Sequence, residues 1–196
     1  MARVVSLVLP LWRTDRSRKR LGADAPAPEA PLALVGREGR RRVVLSVDLA
    51  ARKAGVRPGT PVAKAQALYP DLIIMDADLE GDRTGLEKLA LWFQQRITPL
   101  VAVDVPDGLV LDTTGADHLH GGEPALLAEM VRRLRDAGIT AKAVVADTLG
   151  PAPALARYGR ARTPVVPARA PAAAPAPPPC HAPRLRARRI DDLRAR

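Results

Sequence analysis

Apolar positions in this 196-residue chain fall into short runs and two helical stripes. Val4 to Leu11 is a nearly continuous apolar run of strand length, the pattern of a strand covered on both faces. Thr14 to Ala30 is charged, then rich in Pro and Ala, and predicts a loop. Pro31 to Val35 and Arg42 to Val47 are β-prone runs around Gly36-Arg37-Glu38-Gly39-Arg40, a hairpin pattern. Leu72 to Met75 predicts another short strand. Residues 82–97 carry Leu86, Leu89, Ala90, Phe93 and Ile97 at helical spacing, and residues 123–137 repeat the stripe at Leu126, Leu127, Met130, Val131 and Leu134. Gly138 supplies the second stop. Val101 to Val105 and Leu109 to Leu111 flank Pro106-Asp107-Gly108, a second hairpin pattern. Ile139 to Ala146 predicts a last strand and Pro151 to Tyr158 a short helix. Strands and helices interleave irregularly, which predicts an α+β fold with helices on one face of a mixed sheet.

Between the first hairpin and Leu72, the stretch from Ala50 to Ala65 reads as helix, turn, helix. Gly55 sits where a left-handed C-cap is wanted, and Pro61 opens the second helix. Beyond Gly159 the composition changes. Ala168 to Pro183 is almost entirely Ala and Pro, too poor in apolar surface to offset chain entropy. Residues 161–196 therefore predict a disordered linker; the alternative is a truncated or out-of-frame end. Arg188 to Leu193 has the look of the first part of a helix-hairpin-helix module.

The formal net charge is +10, unevenly spread. Residues 1–156 hold 21 Lys and Arg against 19 Asp and Glu, whereas residues 157–196 hold 10 Arg against two Asp. The basic character belongs to the tail, so any DNA affinity is expected to be weak and to reside there. The single cysteine, Cys180, excludes an internal disulfide framework or a cysteine zinc site. No apolar run approaches the ~18 residues of a membrane span, and the N-terminus lacks a secretory pattern. The expectation is a cytoplasmic protein without membrane contact.

The helix-turn-helix stretch resembles the start of the fingers of Y-family (UmuC/DinB-type) translesion DNA polymerases, whose pattern is Tyr-Glu-Ala-Arg-x-x-Gly-Val-x-x-Gly-x-Pro. Arg52 and Gly55 match, while Leu49 stands at the Tyr position. In that family the Tyr and Arg hold the incoming triphosphate. The resemblance implies a palm and fingers over residues 1–160, with the fingers at about 49–80. A polymerase palm needs clustered carboxylates, because two divalent cations about 3.5–4 Å apart must be held against triphosphate and primer. The family draws them from an Asp-x-Asp on the first strand and an Asp-Glu on a later hairpin. Here the first strand has no acid, Asp15 being the first carboxylate. On the hairpin Asp107 matches the Asp, but Gly108 replaces the Glu. The Lys that completes the charge clamp after the last palm strand also has no counterpart before Arg157.

These losses are similar to the non-catalytic, ImuB-type branch of the family. The acid-free Leu-Pro-Leu-Trp strand resembles it, as do the run Pro106 to Glu123 and Ala146-Asp147-Thr148. The resemblance implies an inactive adaptor in damage-induced, SOS-type mutagenic translesion synthesis and repair. Implied partners are an error-prone replicative-type DNA polymerase, a RecA-like accessory protein and the sliding clamp. Catalytic residues, bound metal and cofactors are not expected, and Asp107 and Arg52 are relic positions of the polymerase site. Two other readings remain: an active nucleotidyltransferase with an atypical site on Asp104, Asp107 and Asp112, and a nonspecific DNA-binding fragment acting through the tail.

Three local features have plainer readings beside their sharp ones. Arg16, Arg18, Lys19 and Arg20 are candidate DNA contacts or a solvated basic loop. Asp117-His118-Leu119-His120 with Glu123 offers nitrogen and oxygen ligands, yet also fits a loop leading into a helix. Val8 to Trp12 resembles a clamp-docking pentapeptide without its leading Gln, and reads more simply as core strand.

Overall fold

A computed structural model describes residues 3–146 together with Ala156 and Arg157. Strand β1 (Val4–Val8) is buried at all five positions, which explains its unbroken apolar run. It lies between β6 (Gly108–Asp112) and β7 (Lys142–Ala146), antiparallel to both, and β5 (Val101–Asp104) adds an outer antiparallel strand beside β6. Side chains alternate across the sheet. Val5, Leu7, Leu109, Leu111 and Ala143 face the helices α4 (Leu79–Arg96) and α5 (Glu123–Asp136). Leu86, Ala90 and Phe93 of α4 and Leu126, Met130 and Leu134 of α5 close this core, as the two stripes predict.

The remaining strands form a second sheet. β2 (Leu32–Glu38) is central, with β3 (Arg41–Val47) antiparallel on one side and β4 (Ile73–Asp76) parallel on the other. The expected strands are thus divided between two sheets, and the mixed pairing lies in the smaller one. Helices α2 (Leu49–Ala54) and α3 (Val62–Leu68) cover it, burying Ala51, Val62 and Ala65 against Val35, Val44 and Val47. Gly55 ends α2 at φ +102°, and a Cβ there would lie 2.6 Å from the Tyr69 hydroxyl. Glycine is required on both counts.

The predicted loop from Thr14 to Ala30 is corrected by the structure, which has helix α1 (Trp12–Leu21) across its first part. The helix carries no apolar stripe because its inward face is polar and satisfied by partners. Trp12 Nε1 donates to the Asp82 carbonyl at 3.0 Å, and Thr14 Oγ1 donates to the Leu11 carbonyl at 2.9 Å. Asp15 in its first turn and Arg18, Lys19 and Arg20 in its last suit the helix dipole. Arg18 reaches Asp48, whose carboxylate caps α2 by accepting the Ala51 N–H at 2.8 Å. That contact ties the first unit to the second.

The expected tail at 161–196 lies outside the described residues, as does most of the expected helix Pro151–Tyr158. Ala156 and Arg157 are helical. No described helix is long and apolar enough to cross a membrane.

Candidate functional site

The face of the first sheet turned away from α4 and α5 carries the residues of interest. Val4, Ser6 and Val8 alternate onto it from β1. Val8 lies opposite Gly108 on one neighbour and Lys142 on the other, and Asp104 also pairs with Gly108. Val8 and Asp104 therefore share a face, with Gly108 between them. Asp107 sits in the β5–β6 turn, its carbonyl accepting the Leu9 N–H at 2.8 Å. The end of β1 and the acidic turn are thus held together, but the strand contributes an isopropyl group rather than a carboxylate.

Both acids are taken by one cation. Arg157 donates to Asp104 Oδ2 at 2.8 Å and to Asp107 Oδ1 at 3.0 Å. The hydrogen bond to Asp107, followed by the Asp104 contact, raises the guanidinium pKa above its ordinary value against the opposing effect of burial. Gly108 fits closely: a Cβ there would lie 3.1 Å from the carbonyl oxygens of Asp104 and Leu7, a contact its neighbours would have to relieve by shifting. The buried Ser6 hydroxyl makes no hydrogen bond among the described residues.

Asp112 does not join this group. It lies opposite Val4 at the far end of β6, about 13 Å along the strand from Gly108. Its carboxylate accepts the Thr114 N–H at 2.9 Å, and hydrogen bonding to Thr114 holds its pKa below the usual carboxylate range. Among the described residues no three His, Cys, Asp or Glu side chains gather as a metal site. His118 is exposed, His120 Nδ1 lies 3.1 Å from Glu129, and Glu123 pairs with Arg3, so these candidate ligands do not converge.

Arg52 is exposed on α2, in the second unit, and its side chain makes no ion pair with a described residue. Leu49, one turn earlier, is 38% exposed. In the basic run Arg16 and Arg18 are partly buried and paired, whereas Lys19 and Arg20 are exposed. Arg16 binds Asp78 at 3.1 Å and Asp82 at 3.0 Å, Arg18 binds Asp48, and Arg20 shares Asp78 at 3.1 Å. Asp78 caps α4, and the Gly81 N–H followed by Arg16 lowers its pKa. Lys19 is exposed, within 3.4 Å of the Ala137 carbonyl. Leu9, Leu11 and Trp12 are buried, so the pentapeptide Val8 to Trp12 belongs to the core.

Sequence reasoning missed the role of Arg157. The signal was present as the first cation after β7, but nothing local links it to carboxylates 50 and 53 residues earlier.

The antiparallel sheet, its two helices, the acidic hairpin turn and the small helical unit together define a palm of Y-family polymerase type. The impB/mucB/samB family profile matches residues 24–155, and the chain belongs to that family. It is 51% identical over 105 residues to Protein ImuB of Caulobacter vibrioides, covering 54% of this chain and 23% of that protein. It is 36% identical over 118 residues to DNA polymerase IV of Shewanella oneidensis, covering 59% of this chain and 32% of that protein. Its fold is similar to DinB from Sulfolobus solfataricus, with a TM-score of 0.60 at 19% identity over 75% of this chain and 42% of that one. The chain thus spans about a quarter to a third of these curated relatives.

Proposed function

We propose that the chain is a catalytically inactive palm and fingers, acting as an adaptor in damage-induced, SOS-type mutagenic translesion synthesis. Asp107 and Arg52 are then relics of the polymerase site. One observation carries the reading: Arg157 spans Asp104 and Asp107, while Val8 occupies the β1 position on the face shared with Asp104. Two divalent cations need several shared carboxylates, and a guanidinium-neutralised pair beside a valine does not fit them. The likeness to Protein ImuB favours the same reading. The adaptor would act in the cytoplasm, bridging an error-prone replicative-type polymerase, a RecA-like protein and the sliding clamp. Residues 1–160 would be the palm and fingers, the latter at about 49–80, and 161–196 a basic linker.

The likeness to DNA polymerase IV supports a second reading, an active nucleotidyltransferase using Asp104 and Asp107, since Asp112 lies at the far end of β6. Manganese binding followed by electron paramagnetic resonance separates them. The adaptor has no stoichiometric site in the micromolar range. A tight Mn²⁺ site that disappears in Asp107→Ala would favour the enzyme.

A further inference from the structure

On the opposite side of the first sheet from Asp104, helices α1, α4 and α5 enclose an open groove of about 500 Å³. That volume falls within the ~300–1,000 Å³ range of binding clefts. Its floor is apolar, built from Trp12, Leu89, Trp92 and Ile139. Among the described residues its charged lining is entirely basic: Arg16, Lys19, Lys88 and Arg133, with no Asp or Glu. This contrasts with residues 1–156 as a whole, where 21 basic side chains nearly balance 19 acidic ones. Arg16 is committed to Asp78 and Asp82, and Arg133 to Glu129. Lys88 is exposed with no ion pair among the described residues, and Lys19 is exposed beside a carbonyl.

An apolar floor with unneutralised ammonium groups at its rim matches an occupant that is apolar on one side and acidic on the other. The aromatic rings argue against stacked bases. The guanidinium carbons of Arg96 and Arg133 lie 5.9 and 5.7 Å from the Trp92 ring centroid, and Trp12 is 95% buried with its N–H already used. Single strands need open aromatic faces, which these are not. We propose that the groove docks an acidic amphipathic helix of another protein, its apolar face against Leu89 and the part of Trp92 left exposed and its carboxylates against Lys19 and Lys88. The proposal does not depend on the loss of catalysis, since the groove and Asp104 lie on opposite faces of the sheet.

Trp12 and Trp92 are the chain's two tryptophans, so intrinsic fluorescence reads the groove directly. The full chain is titrated with a tryptophan-free helical peptide of about 18 residues, five turns, with Leu and Phe on one face and Glu on the other. The expected result is a saturable change in emission with a dissociation constant of about micromolar order. Lys19→Glu with Lys88→Glu weakens binding about tenfold or more. Replacing Glu by Gln in the peptide weakens it likewise, which tests the charge requirement without altering the protein. Unchanged emission, equal binding of a peptide with Lys in place of Glu, or tighter binding of a single-stranded oligonucleotide with the same tryptophan response would each overturn the proposal.

Discussion

Replacing Arg157 by Ala removes the cation that, among the described residues, holds Asp104 and Asp107 together. Two charge-assisted hydrogen bonds are lost, at 2.8 and 3.0 Å. The three side chains are 24%, 29% and 31% exposed, so solvent screens part of their attraction. Bonds to charged groups contribute about 1.5–3 kcal/mol when well buried, and exposed pairs about 0.2–1 kcal/mol. At roughly a quarter exposure we expect about 1–2 kcal/mol for the loss of both. With a urea slope of about 2 kcal/mol per M, the midpoint falls by about 0.5–1 M. Asp107→Asn combined with Arg157→Ala should cost clearly less than the two singly, because each removes the same contact. Arg157→Lys, which keeps the charge but loses the two-armed geometry, should fall between. A midpoint unchanged by Arg157→Ala, or strict additivity in the cycle, would show that the bridge does not hold the acidic turn.

Phe93 is fully buried in the main core and meets Trp92 edge-on at 5.0 Å, so Phe93→Ala should cost about 3–5 kcal/mol in urea unfolding. Arg52→Ala, at an exposed position, should stay within about 0.5 kcal/mol, and equal losses would contradict the core placement. Asp15 accepts the Thr140 N–H at 2.7 Å, and burial pushes its carboxyl up to about 6 despite that bond. Its folded pKa exceeds the unfolded value, so this group adds stability as pH falls from about 7 to about 4, by about 2–2.5 kcal/mol. Asp15→Asn should abolish that increment, and matching pH dependence in variant and parent would refute the assignment. Deleting residues 160–196 should remove most DNA binding at low salt and leave the fold intact, since the positive surplus lies there. Tight, salt-insensitive binding by the shortened chain would instead locate a DNA cleft in the body.

Apolar patterning revealed β1, both hairpins, α4 and α5, because each buries a continuous or periodic apolar face. It failed at α1, whose inward face is Trp12, Thr14 and Ser17 with charged neighbours held by Asp48, Asp78 and Asp82. Ion pairing replaces the apolar stripe there, and the partners lie 30 to 66 residues away. The division into two sheets was equally hidden. It depends on the parallel β2–β4 pairing, for which the short apolar runs carry no register. At the site, the acid-free strand and lone Asp107 were readable as residues. That Val8 faces Asp104 follows only from the β1–β6 register, and that Arg157 binds both acids follows only from the folded chain.

Primer extension tests the central claim most directly. The purified chain is incubated with a labelled primer-template, all four deoxynucleoside triphosphates and Mg²⁺ or Mn²⁺, beside its Asp107→Ala variant. We predict no extension above background by either protein with either metal, because β1 brings Val8 rather than a carboxylate to the face it shares with Asp104. Extension by the parent chain that Asp107→Ala abolishes would contradict the account and establish an active site built on this turn.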